Sequence, residues 1–98
     1  MANIVVSYPT HAGAQFDAAY YTASHIPLVE RHWGPLGMTG ADVMLPADGN
    51  QPFAAMVVLK FRDSASIDAA MVCAGTPDVM ADVAKFTNIV PQLYRTAD

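Results

Sequence analysis

Charge is scarce in this chain. Of 98 residues 14% are Asp, Glu, Lys or Arg, and the five Lys and Arg are scattered, leaving a net charge of −4. Without a basic stripe a nucleic-acid backbone or an anionic lipid surface has little to hold, so no nucleic acid and no membrane are expected as partners. A single cysteine, Cys73, excludes an internal disulfide and fits a reducing compartment. It has no base beside it in sequence and reads as an inert thiol. No apolar run reaches the ~18 residues of a membrane helix. The opening Met1-Ala2-Asn3-Ile4-Val5-Val6 has no positive n-region and passes straight into strand-like sequence. A soluble cytoplasmic protein is the expectation. Metal-ligand spacings are also missing: there is no His-x-x-x-His, no Cys-x-x-Cys and no acidic cluster. No glycine-rich phosphate loop follows a strand, and Ser7, Ser24, Ser64 and Ser66 lack the context of a nucleophile elbow. No metal and no cofactor are expected.

Apolar side chains are abundant by contrast, at 53%. The length suits one domain over residues 1–98. So small a domain has much surface to cover and calls for more polar residues, not fewer. Burial against a second copy is the simplest remedy.

Asn3 to Tyr8 is β-branched and stops at Pro9, a first strand. Asp17 caps a helix running to Trp33, with Gly34-Pro35 at its end and Phe16 and Tyr21 placed to staple its start. Pro27 lies inside that helix and predicts a kink just after His25. Strands follow at Met38 to Leu45 and Phe53 to Phe61. Asp63 or Ser64 caps a helix through Ala74 closed by Gly75. Thr76-Pro77 starts a short further helix, and Phe86 to Tyr94 is a last extended segment broken by Pro91. The order β-α-β-β-α-β is that of the α+β ferredoxin-like fold, a four-stranded antiparallel sheet with its helices on one face. In the third strand Phe53, Ala55, Val57, Leu59 and Phe61 alternate with Ala54, Met56, Val58 and Lys60, so both faces are largely apolar. A half-solvated sheet alternates apolar with polar. A homodimer packed through the sheet faces follows.

Tyr21 and His25 stand four apart on the first helix and share a face with Ala18, Thr22, Ile26, Val29 and Trp33. A histidine there either completes a core or serves as an acid–base group, since imidazole is the side chain suited to proton transfer near neutral pH. Tyr21 either packs or donates a hydrogen bond to a substrate oxygen. Trp33 is a core anchor or a wall of a substrate site. His32 lies near the helix end, where the dipole favours a cation, and His11 lies in the loop after the first strand, at the mouth of any pocket. The six methionines suit irregular core gaps or a cavity for an apolar ligand.

Tyr8-Pro9, Gly13-Ala14, Phe16-Asp17, Tyr20-Tyr21, His25-Ile26-Pro27-Leu28, Gly34-Pro35-Leu36-Gly37, Asp82 and Phe86-Thr87-Asn88 together resemble the EthD family, over nearly the whole chain. The resemblance implies a ferredoxin-like subunit paired into a dimeric α/β barrel. It implies a cavity between helix and sheet faced by His25, with Tyr21 beside it. The family's namesake is linked to oxidative ether degradation alongside a cytochrome monooxygenase system, which implies a partner oxidase. Relatives on the scaffold include lactone isomerases, polyketide cyclases and cofactor-free monooxygenases. The expected function is therefore an enzyme acting on a small apolar ligand in an oxidative context, with His25 and Tyr21 catalytic and Trp33, His32 and His11 contacting substrate. The alternatives are an isomerase or cyclase, and a non-catalytic carrier of a hydrophobic intermediate.

Overall fold

A computed structural model describes all 98 residues. Strand β1 (Ala2–Pro9) leads through a loop into helix α1, which has three consecutive parts: α-helical Ala18–Tyr20, a π turn at Tyr21–His25, and α-helical Ile26–Trp33. A 3-10 turn (Gly34–Leu36) precedes β2 (Met38–Met44) and β3 (Phe53–Phe61). Helices α2 (Ser64–Met71) and α3 (Thr76–Asp82) follow. A second 3-10 turn (Val83–Lys85) and strand β4 (Gln92–Arg95) complete the chain. The strand order is β2-β3-β1-β4, antiparallel throughout.

Register decides which side chains meet. Ala2 pairs with Phe61, Ile4 with Leu59, Val6 with Val57 and Tyr8 with Ala55. Residues opposite each other share a face, and these form the floor on which the helices sit. Tyr21, Ile26, Val29 and Trp33 of α1, Ile67 and Ala70 of α2 and Val79 of α3 are buried against it. The opposite face carries Val5, Ser7, Ala54, Met56 and Val58, all half-buried, with Met44 and Tyr94 exposed at its sides. The one charged pair across it joins Lys60 to Asp42 at 2.8 Å.

Proline 27 acts differently from a simple kink. It brings no N–H, and in an α-helix its ring crowds the carbonyl four residues back. The chain widens the preceding turn instead, so that the Ile26 N–H reaches the Tyr21 carbonyl. The added residue rotates the later helix relative to the earlier part. Tyr21, His25, Val29 and Trp33 then fall in register at intervals of four, all buried. Thr22, expected on that face, is left outside it. Its side chain is exposed, and its hydroxyl donates to the Ala18 carbonyl at 3.0 Å.

Two other boundaries differ from expectation. Helix α2 stops at Met71 rather than Ala74, because the Ala70 carbonyl is taken by the Cys73 N–H and the Thr76 hydroxyl. Gly75 accordingly sits before α3 and does not close α2. The last strand is only Gln92–Arg95. Residues 86–91 instead tie down the start of α1: the Phe86 carbonyl accepts the Asp17 N–H at 2.7 Å, and Thr87 bridges to Phe16. Asn88 accepts from the Gln15 N–H at 2.8 Å and donates to the Gly13 carbonyl at 3.0 Å. Asp17 caps the helix as expected, accepting the Tyr20 N–H at 3.0 Å, and Phe16 packs on Tyr21 with ring centres 5.1 Å apart.

Gly37 joins α1 to β2 at φ +119°, and a Cβ there would overlap the Ser66 side chain. Both backbone and space demand glycine. Gly37→Ala is expected to lower stability by about 1–3 kcal/mol in urea unfolding; a change within ±0.5 kcal/mol contradicts this reading.

Candidate functional site

The π turn presents Tyr21 and His25 to the interior. Both are buried, Tyr21 fully and His25 to 5% exposure. Their rings stack at 5.6 Å with planes 19° apart, and the His25 ring leans on Phe86 at 4.6 Å. Two aromatic contacts of this kind leave the imidazole little rotational freedom.

Asp82 completes the arrangement. It is the last residue of α3 and is also buried. Its Oδ2 lies 2.9 Å from His25 Nδ1. Its Oδ1 accepts the Tyr20 hydroxyl at 2.8 Å, with Lys85 Nζ at 3.7 Å. A helix C-terminus does not favour a carboxylate, so these partners must hold it. Burial works to raise the Asp82 pKa. The hydrogen bonds from His25 and Tyr20, with the charges of His25 and Lys85, outweigh burial and leave the carboxyl below its usual range. An ionised Asp82 accepts only, so Nδ1 carries the hydrogen and Nε2 is the ring nitrogen left for a ligand.

His25 also lines an apolar cavity of about 40 Å³ between sheet and helices. Its walls are Ile4, Val57, Leu59, Val79, Val83 and Leu93, with Tyr8, Tyr21 and Trp33 among the aromatic lining. The Tyr21 hydroxyl is buried and no hydrogen bond closes on it. Burial pushes the Tyr8 phenol up to about 12. Burial, and then the neighbouring Tyr8 phenol, raises Tyr21 as well. Both remain protonated through the neutral range, and the Tyr21 hydroxyl, with only the Tyr8 phenol beside it, can turn to an acceptor on a ligand.

The structure thus brings Tyr21, His25 and Trp33 to one cavity and leaves His11 and His32 elsewhere. Trp33 is buried, and its indole N–H donates to Thr76 at 3.0 Å. His32 does not line the cavity; its ring packs against Gly75, where a Cβ would run into it. His11 is exposed in its loop, with Nδ1 at 2.9 Å from the Ala12 carbonyl. Cys73 is half-buried, and its sulfur accepts the Gly75 N–H at 3.3 Å. Asp82 and Tyr20 take parts that the sequence reading did not give them. A signal existed: Asp82 follows the apolar Val79 by three residues on a short helix, which turns an acid toward the core. Tyr20 is half-buried against Asp82.

A carboxyl whose folded pKa lies below its unfolded value stabilises the fold above the unfolded value, near pH ~3.9. That contribution is lost as pH falls through the folded value. Asp82→Asn is therefore expected to be less stable than the parent at pH 7. The two stabilities should converge in urea unfolding as pH is lowered below ~4. A constant gap across that window contradicts the assignment.

No family model matches the chain's sequence, and no curated protein does. Solved structures do match. An EthD-like protein from Ralstonia eutropha JMP134 is 30% identical, with a TM-score of 0.84 over 98% of this chain and 89% of that one. A dimeric ferredoxin-like protein of unknown function from Jannaschia sp. CCS1 is 17% identical, TM-score 0.68, covering 99% of this chain and 98% of that one. SnoaB, a cofactor-independent oxygenase from Streptomyces nogalater, is 11% identical, TM-score 0.66, covering 99% and 92%. The last two share the fold, a fold that at least one oxygenase uses. With the first at 30% identity over nearly its whole length, the chain belongs to the EthD family.

Proposed function

We propose that this protein is a small-molecule enzyme in which His25 Nε2 takes a proton from an apolar substrate bound in the cavity. The observation that carries this reading is the 2.9 Å contact between the buried His25 Nδ1 and Asp82. Such a contact fixes one tautomer and steadies the imidazolium that forms when Nε2 is protonated. Tyr21 donates to the substrate oxygen on which charge develops. The substrate class is a flat aromatic or lactone-like compound with a C–H acidified by conjugation to a carbonyl.

In an oxidative context the substrate itself is the reductant. Proton removal leaves a carbanion conjugated to the carbonyl. Dioxygen takes electrons from this carbanion and bonds to the carbon, and loss of water leaves a second carbonyl. One CH₂ substrate and one O₂ give one dicarbonyl product, a quinone where the substrate is an anthrone, and one H₂O. Isomerisation or cyclisation through the same enolate uses the same base without oxygen. A carrier serving a partner oxidase needs the cavity but not the Asp82–His25 pair, and that pair favours the enzyme.

Ligand sites for drug-sized molecules measure roughly 300–1,000 Å³. The cavity at about 40 Å³ is too small for an aromatic ring. Binding therefore requires its side between α3 and β4 to open. Met80 and Leu93 border it there and are 44% and 49% exposed. The same reading includes a homodimer through the outer sheet face, whose Val5, Met56 and Val58 nothing in one subunit covers.

Anthrone, whose ring methylene is acidified by conjugation through the aromatic rings to the carbonyl, is the first probe. Oxygen uptake with anthrone is expected to fall by roughly 10²–10⁴-fold in His25→Gln while the thermal melt stays cooperative. Undiminished uptake in the variant contradicts His25 as the base. Product formation without oxygen redirects the reading to an isomerase or cyclase. For the assembly, sedimentation should give twice the subunit mass for the parent and a single subunit for Val58→Lys. A monomeric parent contradicts the dimer.

A further inference from the structure

The Asp82 carboxylate faces two compartments. Oδ2 points to His25, which lines the apolar cavity, whereas Asp82 does not line that cavity. Asp82 instead lies in a separate, open groove between α1 and α3, together with Tyr20, Ser24, Arg31, Asp78 and Lys85. Oδ1 faces this side and accepts the Tyr20 hydroxyl at 2.8 Å. The two oxygens are therefore fixed from opposite directions, one by each compartment.

We propose that Tyr20 is a positioning residue of the His25 site, holding Asp82 from the groove so that Oδ2 meets Nδ1 and Nε2 is left bare toward the cavity. This rests on the function proposed above but is tested apart from it. A carboxylate free to turn about its Cβ–Cγ bond presents either oxygen to the imidazole or drifts toward Lys85. The hydroxyl removes that freedom, because hydrogen bonds to ionised acceptors are the strong ones. Tyr20 is itself held, its ring stacked on Phe86 at 6.3 Å, and its N–H is tied to the Asp17 cap.

The groups facing Asp82 are His25 and Tyr20 from α1 and Lys85 from the turn after α3, with Arg31 and Asp78 further along the groove. Lys85 is 68% exposed at its side chain and 3.7 Å away, so water screens it. The uncharged Tyr20 is thus the stronger constraint, despite carrying no charge.

The test needs no substrate. In ¹⁵N-histidine and ¹³C-aspartate NMR of the intact protein, Tyr20→Phe keeps the ring and deletes only the hydroxyl. The Asp82 carboxyl midpoint is expected to rise by roughly one pH unit. The His25 nitrogens should lose part of their Nδ1-protonated signature, and Lys85→Met should move both readouts less. A Tyr20→Phe spectrum and titration superimposing on the parent overturn the proposal. So does a Lys85→Met effect larger than that of Tyr20→Phe. Retained turnover in His25→Gln would instead end the functional reading and leave this result interpretable on its own.

Discussion

One hydrogen bond organises this molecule: His25 Nδ1 to Asp82 Oδ2, 2.9 Å long and shut away from water. It joins the first helix to the last across 57 residues of chain. Two ionisable groups in an apolar interior must satisfy each other, since either alone leaves an uncompensated polar group. Much of the surrounding architecture serves that pairing. The π turn lines His25 up with Tyr21, Val29 and Trp33. The Phe86-Thr87-Asn88 segment fastens the start of α1, and Tyr20 holds the far oxygen of the acid.

The pairing also bears on the chemistry proposed for the apolar cavity. Its walls are almost wholly hydrocarbon, so any polar atom of a ligand must be met by the few polar groups present. Tyr21 supplies a hydroxyl that only the Tyr8 phenol neighbours, and His25 supplies Nε2. Donor and acceptor side by side suit a substrate whose oxygen gains charge as a neighbouring carbon loses its proton. A cavity this small, with exposed Met80 and Leu93 on its rim, has to open there to admit a larger ligand.

Much of this was legible in the sequence. Strand patterning at Phe53–Phe61 and the capping pattern at Asp17 and Asp63 gave away the order of elements and a sheet apolar on both faces. The spacing of Tyr21 and His25 placed them together. What periodicity could not carry was the π turn, because an ideal helical wheel assumes a constant rotation per residue. Thr22 falls off its expected face for that reason. Asp82 was visible as a motif residue, but its partner lies 57 positions away and only tertiary packing brings them together. His11 and His32 looked suited to chemistry by residue type alone. One sits on a solvent loop and the other against Gly75. The late strand was overread because residues 86–91 spend their backbone groups on the α1 start rather than on the sheet.

Neutron diffraction from a deuterated crystal at pH 8 tests the central claim most directly, because it locates the imidazole hydrogens themselves. Deuterium on Nδ1, directed at Asp82, with Nε2 bare toward the cavity is the result this account predicts. Deuterium on Nε2 would contradict it, since the nitrogen facing the substrate would then have no lone pair with which to take a proton.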